Sequence, residues 1–116
     1  TGGSLVLHGS GEQTRDFIYV TDVVAAMVAA ATATAVNRRV INVGSGTETS
    51  LNQLVSEIAQ VVGQRVNPLK NQQKAVGVPR LVADISLAQQ LLGFRPLVGL
   101  AEGLQRTWRE DGRFQP

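Results

Sequence analysis

The spacing of apolar positions divides the chain into strand-like and helix-like stretches. Leu5 to His8 is a short apolar run stopped by Gly9-Ser10-Gly11, and Phe17 to Val20 is a β-branched and aromatic run after it. Together they predict a hairpin or two linked strands. Thr21-Asp22 offers cap chemistry ahead of a stretch in which Val23, Val24, Met27, Val28 and Ala31 recur at helical spacing among further alanines. A helix that is apolar all round is expected to be buried. After polar Asn37-Arg38-Arg39, Val40 to Val43 reads as an inner strand running straight into Gly44-Ser45-Gly46.

The strongest helical signal follows. Ser50 and Gln53 have the spacing of a capping box, Leu51, Leu54, Val55, Ile58, Ala59 and Val62 form one stripe, and Gly63 ends it. Beyond it, Val66 to Leu69 suits a short strand, Lys70 to Val78 a polar loop, and Leu81 to Ala83 an extended segment. Ser86 with Gln89 is placed to cap a short helix carrying Leu87, Ala88, Leu91 and Leu92, closed by Gly93. Leu97, Leu100, Ala101, Leu104 and Trp108 make a last helical stripe. This alternation indicates an α/β fold with at least part of a parallel sheet. The convincing strands are too few for a complete doubly wound domain, so a fragment is expected, with its missing sheet neighbours N-terminal to Thr1.

Length and charge narrow the function. The 116 residues amount to one domain or part of one. A net charge of +2, scattered basic residues and only 4% aromatics argue against nucleic acid, which needs a basic groove interleaved with stacking rings. No apolar run approaches a membrane span, and the opening TGGSLVLHGSG has neither a basic segment nor a cleavage signal. With no cysteine, disulfides and thiolate metal sites are excluded and the cytoplasm is the default compartment.

Two glycine turns invite a test as phosphate cradles, and neither has the three glycines of a dinucleotide fingerprint. Gly9 and Gly11 precede strand-like residues and read as a reverse turn, whereas Gly44 and Gly46 join a strand to a helix and have Thr49 in place of a third glycine. His8, the only histidine, reads as an ordinary strand residue, and Tyr19 has Val23 four positions on, so no Tyr-x-x-x-Lys pair exists. Arg15 stands out. Held between a glycine turn and a strand, it can present its planar fork to a phosphate, or pair locally with Asp16. Lys74 and Arg80 flank the loop before the Leu87 helix and either converge with Arg15 on a diphosphate or are solvated loop charges.

The segments GSGEQTRDFIYVTDVVAAM, VINVGSGTETSLNQLVSEIAQVVG and VPRLVADISLAQQLLGFRP, in this order, resemble the C-terminal part of the extended short-chain dehydrogenase/reductase family, in particular its UDP-glucose 4-epimerase-like, NAD-dependent nucleotide-sugar epimerases and dehydratases. The resemblance implies a Rossmann-type fragment, residues 1–116 forming the substrate-binding portion with a few short strands and about four helices. The dinucleotide-binding domain and the catalytic tyrosine and lysine would lie elsewhere, so that NAD is implied for the full-length enzyme and no catalytic, cofactor or metal residue is assigned here. By resemblance, Arg15 contacts the diphosphate of a UDP- or dTDP-linked sugar, Phe17 lies near its nucleotide side, and Lys74 stands where the family usually has a second diphosphate arginine. Lys74 keeps the charge without the bidentate fork, and Gly77 replaces an aspartate. Asp84 and Ser86 match an Asp-x-Ser helix start. The alanine-rich helix is expected to pack on the absent sheet, and the unpaired Val40 to Val43 edge to drive homodimerisation through strand pairing or a swapped element. The rival expectation is a non-enzymatic interaction module that self-associates.

Overall fold

A computed structural model describes residues 4–75 and 77–115. In chain order its elements are β1 (Val6–His8), β2 (Thr14–Arg15), α1 (Val20–Thr32), β3 (Thr49–Ser50), α2 (Leu51–Val62), β4 (Leu69–Asn71), α3 (Ser86–Leu92), α4 (Leu100–Glu110) and a 3-10 turn at Gly112–Phe114. The mixed α/β class and the four helices agree with the pattern of the sequence. None of the described helices is long and apolar enough to cross a membrane.

Strand pairing departs from the expected hairpin. β1 runs parallel to β4, Val6 opposite Leu69 and His8 opposite Asn71, while β2 runs antiparallel to β3, Thr14 opposite Ser50 and Arg15 opposite Thr49. Phe17 to Tyr19 is not a strand, and Val20 already belongs to α1. The Tyr19 carbonyl accepts the amides of Asp22 and Val23, which turns the chain into the helix. Nor does Val40 to Val43 form a strand among the described residues. Ile41 and Val43 point into the core while Val40 is 88% exposed, so the run has a strand's alternation without a ladder partner. β4 sits three residues later than Val66, with Lys70 and Asn71 in the strand instead of the loop; Val76 of that loop lies outside the described residues.

Helix α2 follows its local code. Gln53 N–H donates to Ser50 Oγ at 3.1 Å, Ser50 N–H donates to Gln53 Oε1 at 2.9 Å, and Gly63 closes the helix at φ 67°. Caps on the other helices differ from the sequence reading. α1 starts at Tyr19 with no side-chain cap, because the Asp22 carboxylate is buried and accepts the amides of Leu97 and Val98 at 3.1 and 3.0 Å. α3 starts at Ile85 without a side-chain cap, and Ser86 donates through its amide and hydroxyl to Asp84, a local turn before the helix. Leu97 precedes α4 and is exposed.

The core is small. Ala26 of α1, Ala88 of α3 and Phe94 are buried together, flanked by Ile18, Ile41, Val43, Ile85 and Leu92. Two alanines at the crossing let the helices approach closely. The opposite face of α1 is bare: Val20, Val24, Met27 and Val28 are 62, 51, 67 and 63% exposed, contrary to the expected burial. The molecule is a slab of 50 × 35 × 17 Å with 8302 Å² of accessible surface. A closed monomer of this size would expose about 6,100 Å².

Candidate functional site

β2 is the seam where two distant segments meet. Besides pairing with β3, Thr14 forms a parallel bridge with Arg80, its amide donating to Pro79 O at 2.9 Å and its carbonyl accepting Leu81 N–H at 3.2 Å. Next to it, Arg15 Nη1 donates to Val78 O at 2.9 Å and to Thr14 O at 2.6 Å. These contacts fix the guanidinium against the 78–81 segment. Arg15 lines a depression of about 360 Å³ whose walls are residues 42–44 and 81–83.

Asp16 does not serve as a partner set aside for its neighbour. Its Oδ1 accepts the amide and hydroxyl of Ser45 at 2.7 and 2.6 Å, and its Oδ2 accepts the amides of Gly46 at 2.9 Å and Ala83 at 3.1 Å. Burial alone would raise the carboxyl's pKa; the Ser45 hydroxyl and amide, with the Ala83 and Gly46 amides, outweigh it and hold the group below the usual aspartate value. Gly44 must lack a side chain here, since a Cβ would lie 2.6 Å from Ala83 Cβ and 2.7 Å from Asp16 Oδ2.

Arg80 is engaged by Glu48, Nε to Oε1 at 2.7 Å, and Thr14 Oγ1 donates to the same oxygen at 2.8 Å. The hydrogen bond from Arg80, then that from Thr14, lowers the Glu48 pKa, and Glu48 raises that of Arg80. Lys74 lines another depression, of about 390 Å³, with Ser10, Gln13 and Pro79. Phe17 lines a cleft of about 170 Å³ with Leu54 of α2 and Leu104 of α4. Arg15 and Arg80 are thus joined through the Thr14 bridge, whereas Lys74 and Phe17 line hollows of their own.

The glycine turns serve the scaffold. Gly9 and Gly11 take positive φ, and the Gly11 carbonyl accepts Asn52 N–H at 3.0 Å, tying the turn to the first turn of α2. In the Gly44-Ser45-Gly46 turn, the amides that a dinucleotide's pyrophosphate would use are already donated to Asp16. This donor set does not fit NAD. His8 is exposed on β1, its carbonyl accepting Gln13 Nε2 at 2.7 Å, and Tyr19 lies beneath the Arg106 guanidinium at 5.7 Å. Among the described residues no cluster of three or more potential metal ligands occurs. Sequence reasoning singled out Arg15 and Arg80 but missed Glu48, Ser45 and the reach of Asp16. Only the Gly-Ser-Gly turn hinted that a polar group would come close.

Residues 2–107 match the family model described as GDP-mannose 4,6 dehydratase. The chain is 37% identical over 106 residues to a putative UDP-glucose 4-epimerase of Methanocaldococcus jannaschii, covering 90% of this chain and 33% of that protein. It superposes with a TM-score of 0.84 and 28% identity on UDP-glucuronic acid 4-epimerase from Bacillus cereus in complex with NAD, over 97% of this chain and 35% of the other. With UDP-glucose 4-epimerase from Thermotoga maritima, solved with UDP-glucose, the TM-score is 0.83 at 32% identity, over 91% and 34% of the two chains. The chain spans about a third of the length of the curated relatives it matches.

Proposed function

This chain belongs to the extended short-chain dehydrogenase/reductase family described by the GDP-mannose 4,6 dehydratase model, and from that premise we propose that residues 1–116 are the C-terminal, nucleotide-sugar-binding portion of an NAD-dependent sugar epimerase or dehydratase. In this reading the chain grips the diphosphate of a UDP- or dTDP-linked sugar and is catalytically silent by itself. Hydride chemistry belongs to NAD held by another part of the enzyme, on whose sheet the bare face of α1 packs. The compartment is the cytoplasm.

One observation carries the reading. Arg15 is anchored at Nη1 by two backbone carbonyls, Val78 O and Thr14 O, on the edge of a hollow with rigidly connected walls. A guanidinium fixed in this way is pre-organised for phosphate oxygens, so little side-chain freedom is lost on binding. Arg80, held by Glu48 at Nε, adds positive charge beside Arg15, and Phe17, for the nucleotide side, and Lys74 would contribute from hollows separate from that of Arg15. A charge-assisted bond from Arg15 is worth about 1.5–3 kcal/mol, so Arg15→Ala is expected to weaken UDP binding roughly ten- to a hundredfold. Calorimetric titration of UDP into the wild-type and variant chains measures it, and equal affinities would refute the role.

A second reading, a non-enzymatic module that self-associates, has the α1 face behind it. That exposed apolar row would be covered equally well by a second copy. The Val40 to Val43 run, which has no ladder partner among the described residues, is the edge through which a second copy would pair.

A further inference from the structure

We infer that Asp16 is the positioning residue of the Arg15 hollow, clamping both of its walls so that the guanidinium meets a diphosphate in one geometry; this rests on the phosphate reading of Arg15 given above. Asp16 follows Arg15 directly in the chain, and its carboxylate is bound from both walls at once. Ser45 and Gly46 continue the wall formed by Asn42 to Gly44, and they donate three hydrogen bonds at 2.6–2.9 Å. Ala83, on the opposite wall, donates the remaining one at 3.1 Å. Arg15 itself is bound to Val78 O, on the segment leading into that second wall. Moving either wall therefore moves the frame in which the guanidinium sits.

Only an ionised carboxylate suits the position. It is acceptor-only and takes about four hydrogen bonds, whereas the amide of asparagine would turn donors toward backbone N–H groups. The backbone of the first wall passes close to both the carboxylate and the second wall: a Cβ added at Gly44 would meet Asp16 Oδ2 at 2.7 Å and Ala83 Cβ at 2.6 Å. Asp16 reaches no substrate in this scheme and acts through Arg15.

The test is a double-mutant cycle with UDP as the probe, titrated calorimetrically into the full chain, Asp16→Asn, Arg15→Ala and the double variant. Each is first shown to be folded by circular dichroism and urea unfolding. Asp16→Asn is expected to weaken UDP about tenfold alone and less than about twofold in the Arg15→Ala background, because the same contact is lost both times. Equal losses in both backgrounds would make Asp16 a merely structural residue and overturn the inference, as would unchanged affinity in Asp16→Asn. If wild type takes up no UDP, or if Arg15→Ala binds it normally, the phosphate reading itself falls and this inference with it. Should Asp16→Asn fail to fold, Ser45→Ala replaces it in the same cycle. That change removes one donor and leaves the backbone amides, with about threefold weakening expected in wild type and none in Arg15→Ala. A threefold loss that persists without Arg15, or no loss in either background, overturns the inference.

Discussion

Helix α2 begins on a reciprocal Ser50–Gln53 cap, ends on Gly63 in the left-handed region, and lays Leu54, Ile58 and Val62 toward Leu104 and Trp108 of α4. Helix α1, one residue longer, begins on Tyr19 without a side-chain cap and ends on Ala33 in an extended conformation. It buries a narrow stripe through Asp22 and Ala26, and turns Val20, Val24, Met27 and Val28 outward. The two helices differ in where their instructions are completed. Each end and the apolar face of α2 find their partners within this chain. α1 finds partners for one side only, and its composition is that of a helix covered on two sides. The surplus of exposed surface and the narrow slab shape point the same way: the described residues form a layer whose second layer is not among them.

The most damaging test of this contrast removes the ring that holds the covered side of α1. Phe94 is buried between α1 and α3, so Phe94→Ala is expected to cost about 3–5 kcal/mol, within the range for deleting a buried aromatic ring. Urea unfolding measures the total, and amide hydrogen exchange tells where it falls. Protection should drop across residues 20–32 of α1 more than across residues 51–62 of α2. Equal loss in both helices would mean that they share one core.

A smaller effect sharpens the comparison from the other side. Ser50→Ala removes a hydroxyl that accepts the Gln53 amide and should cost about 1 kcal/mol. Thr21→Ala, at the position where the sequence suggests cap chemistry for α1, should stay within about 0.5 kcal/mol of wild type. Both are read from urea midpoints at constant slope. A large loss at Thr21 would show that α1 has a local start signal after all.

These differences explain how much was legible beforehand. α2 was readable because its cap, its stripe and its glycine stop all act within a few residues of one another. So were the α/β class and the turn at Gly9-Ser10-Gly11. Asp22 looked like a cap because cap residues are recognised by proximity, yet its acceptors serve Leu97 and Val98, more than seventy positions away. Asp16 likewise spends its carboxylate on Ser45, Gly46 and Ala83. No periodicity records such pairings. Val40 to Val43 reads as an inner strand from its apolar run, and Ile41 and Val43 do face inward, but a ladder also needs a neighbour to bond with, and none lies beside it among the described residues. At the site, Arg15 is singled out as lying between a glycine turn and a strand, but it belongs to β2 itself and the strand expected after it does not form, while the Glu48 clasp on Arg80 joins residues that only the fold brings together.

The finest test bears on the bare face of α1. Replacing Val24 and Val28 by glutamine exchanges two exposed β-branched residues for better helix formers. In this chain, where neither side chain is covered, stability should change by less than about 0.5 kcal/mol. Sedimentation velocity over a range of concentrations then separates the two occupants of that face. If copies of the chain pair through α1, wild type sediments faster as concentration rises and the double variant does not. If the face awaits the NAD-holding part of a longer enzyme, both sediment alike, and the same substitutions destabilise only a protein that contains that part. A marked loss of stability at a concentration where wild type sediments as a monomer would contradict both, because it would mean that Val24 and Val28 are already packed within one chain.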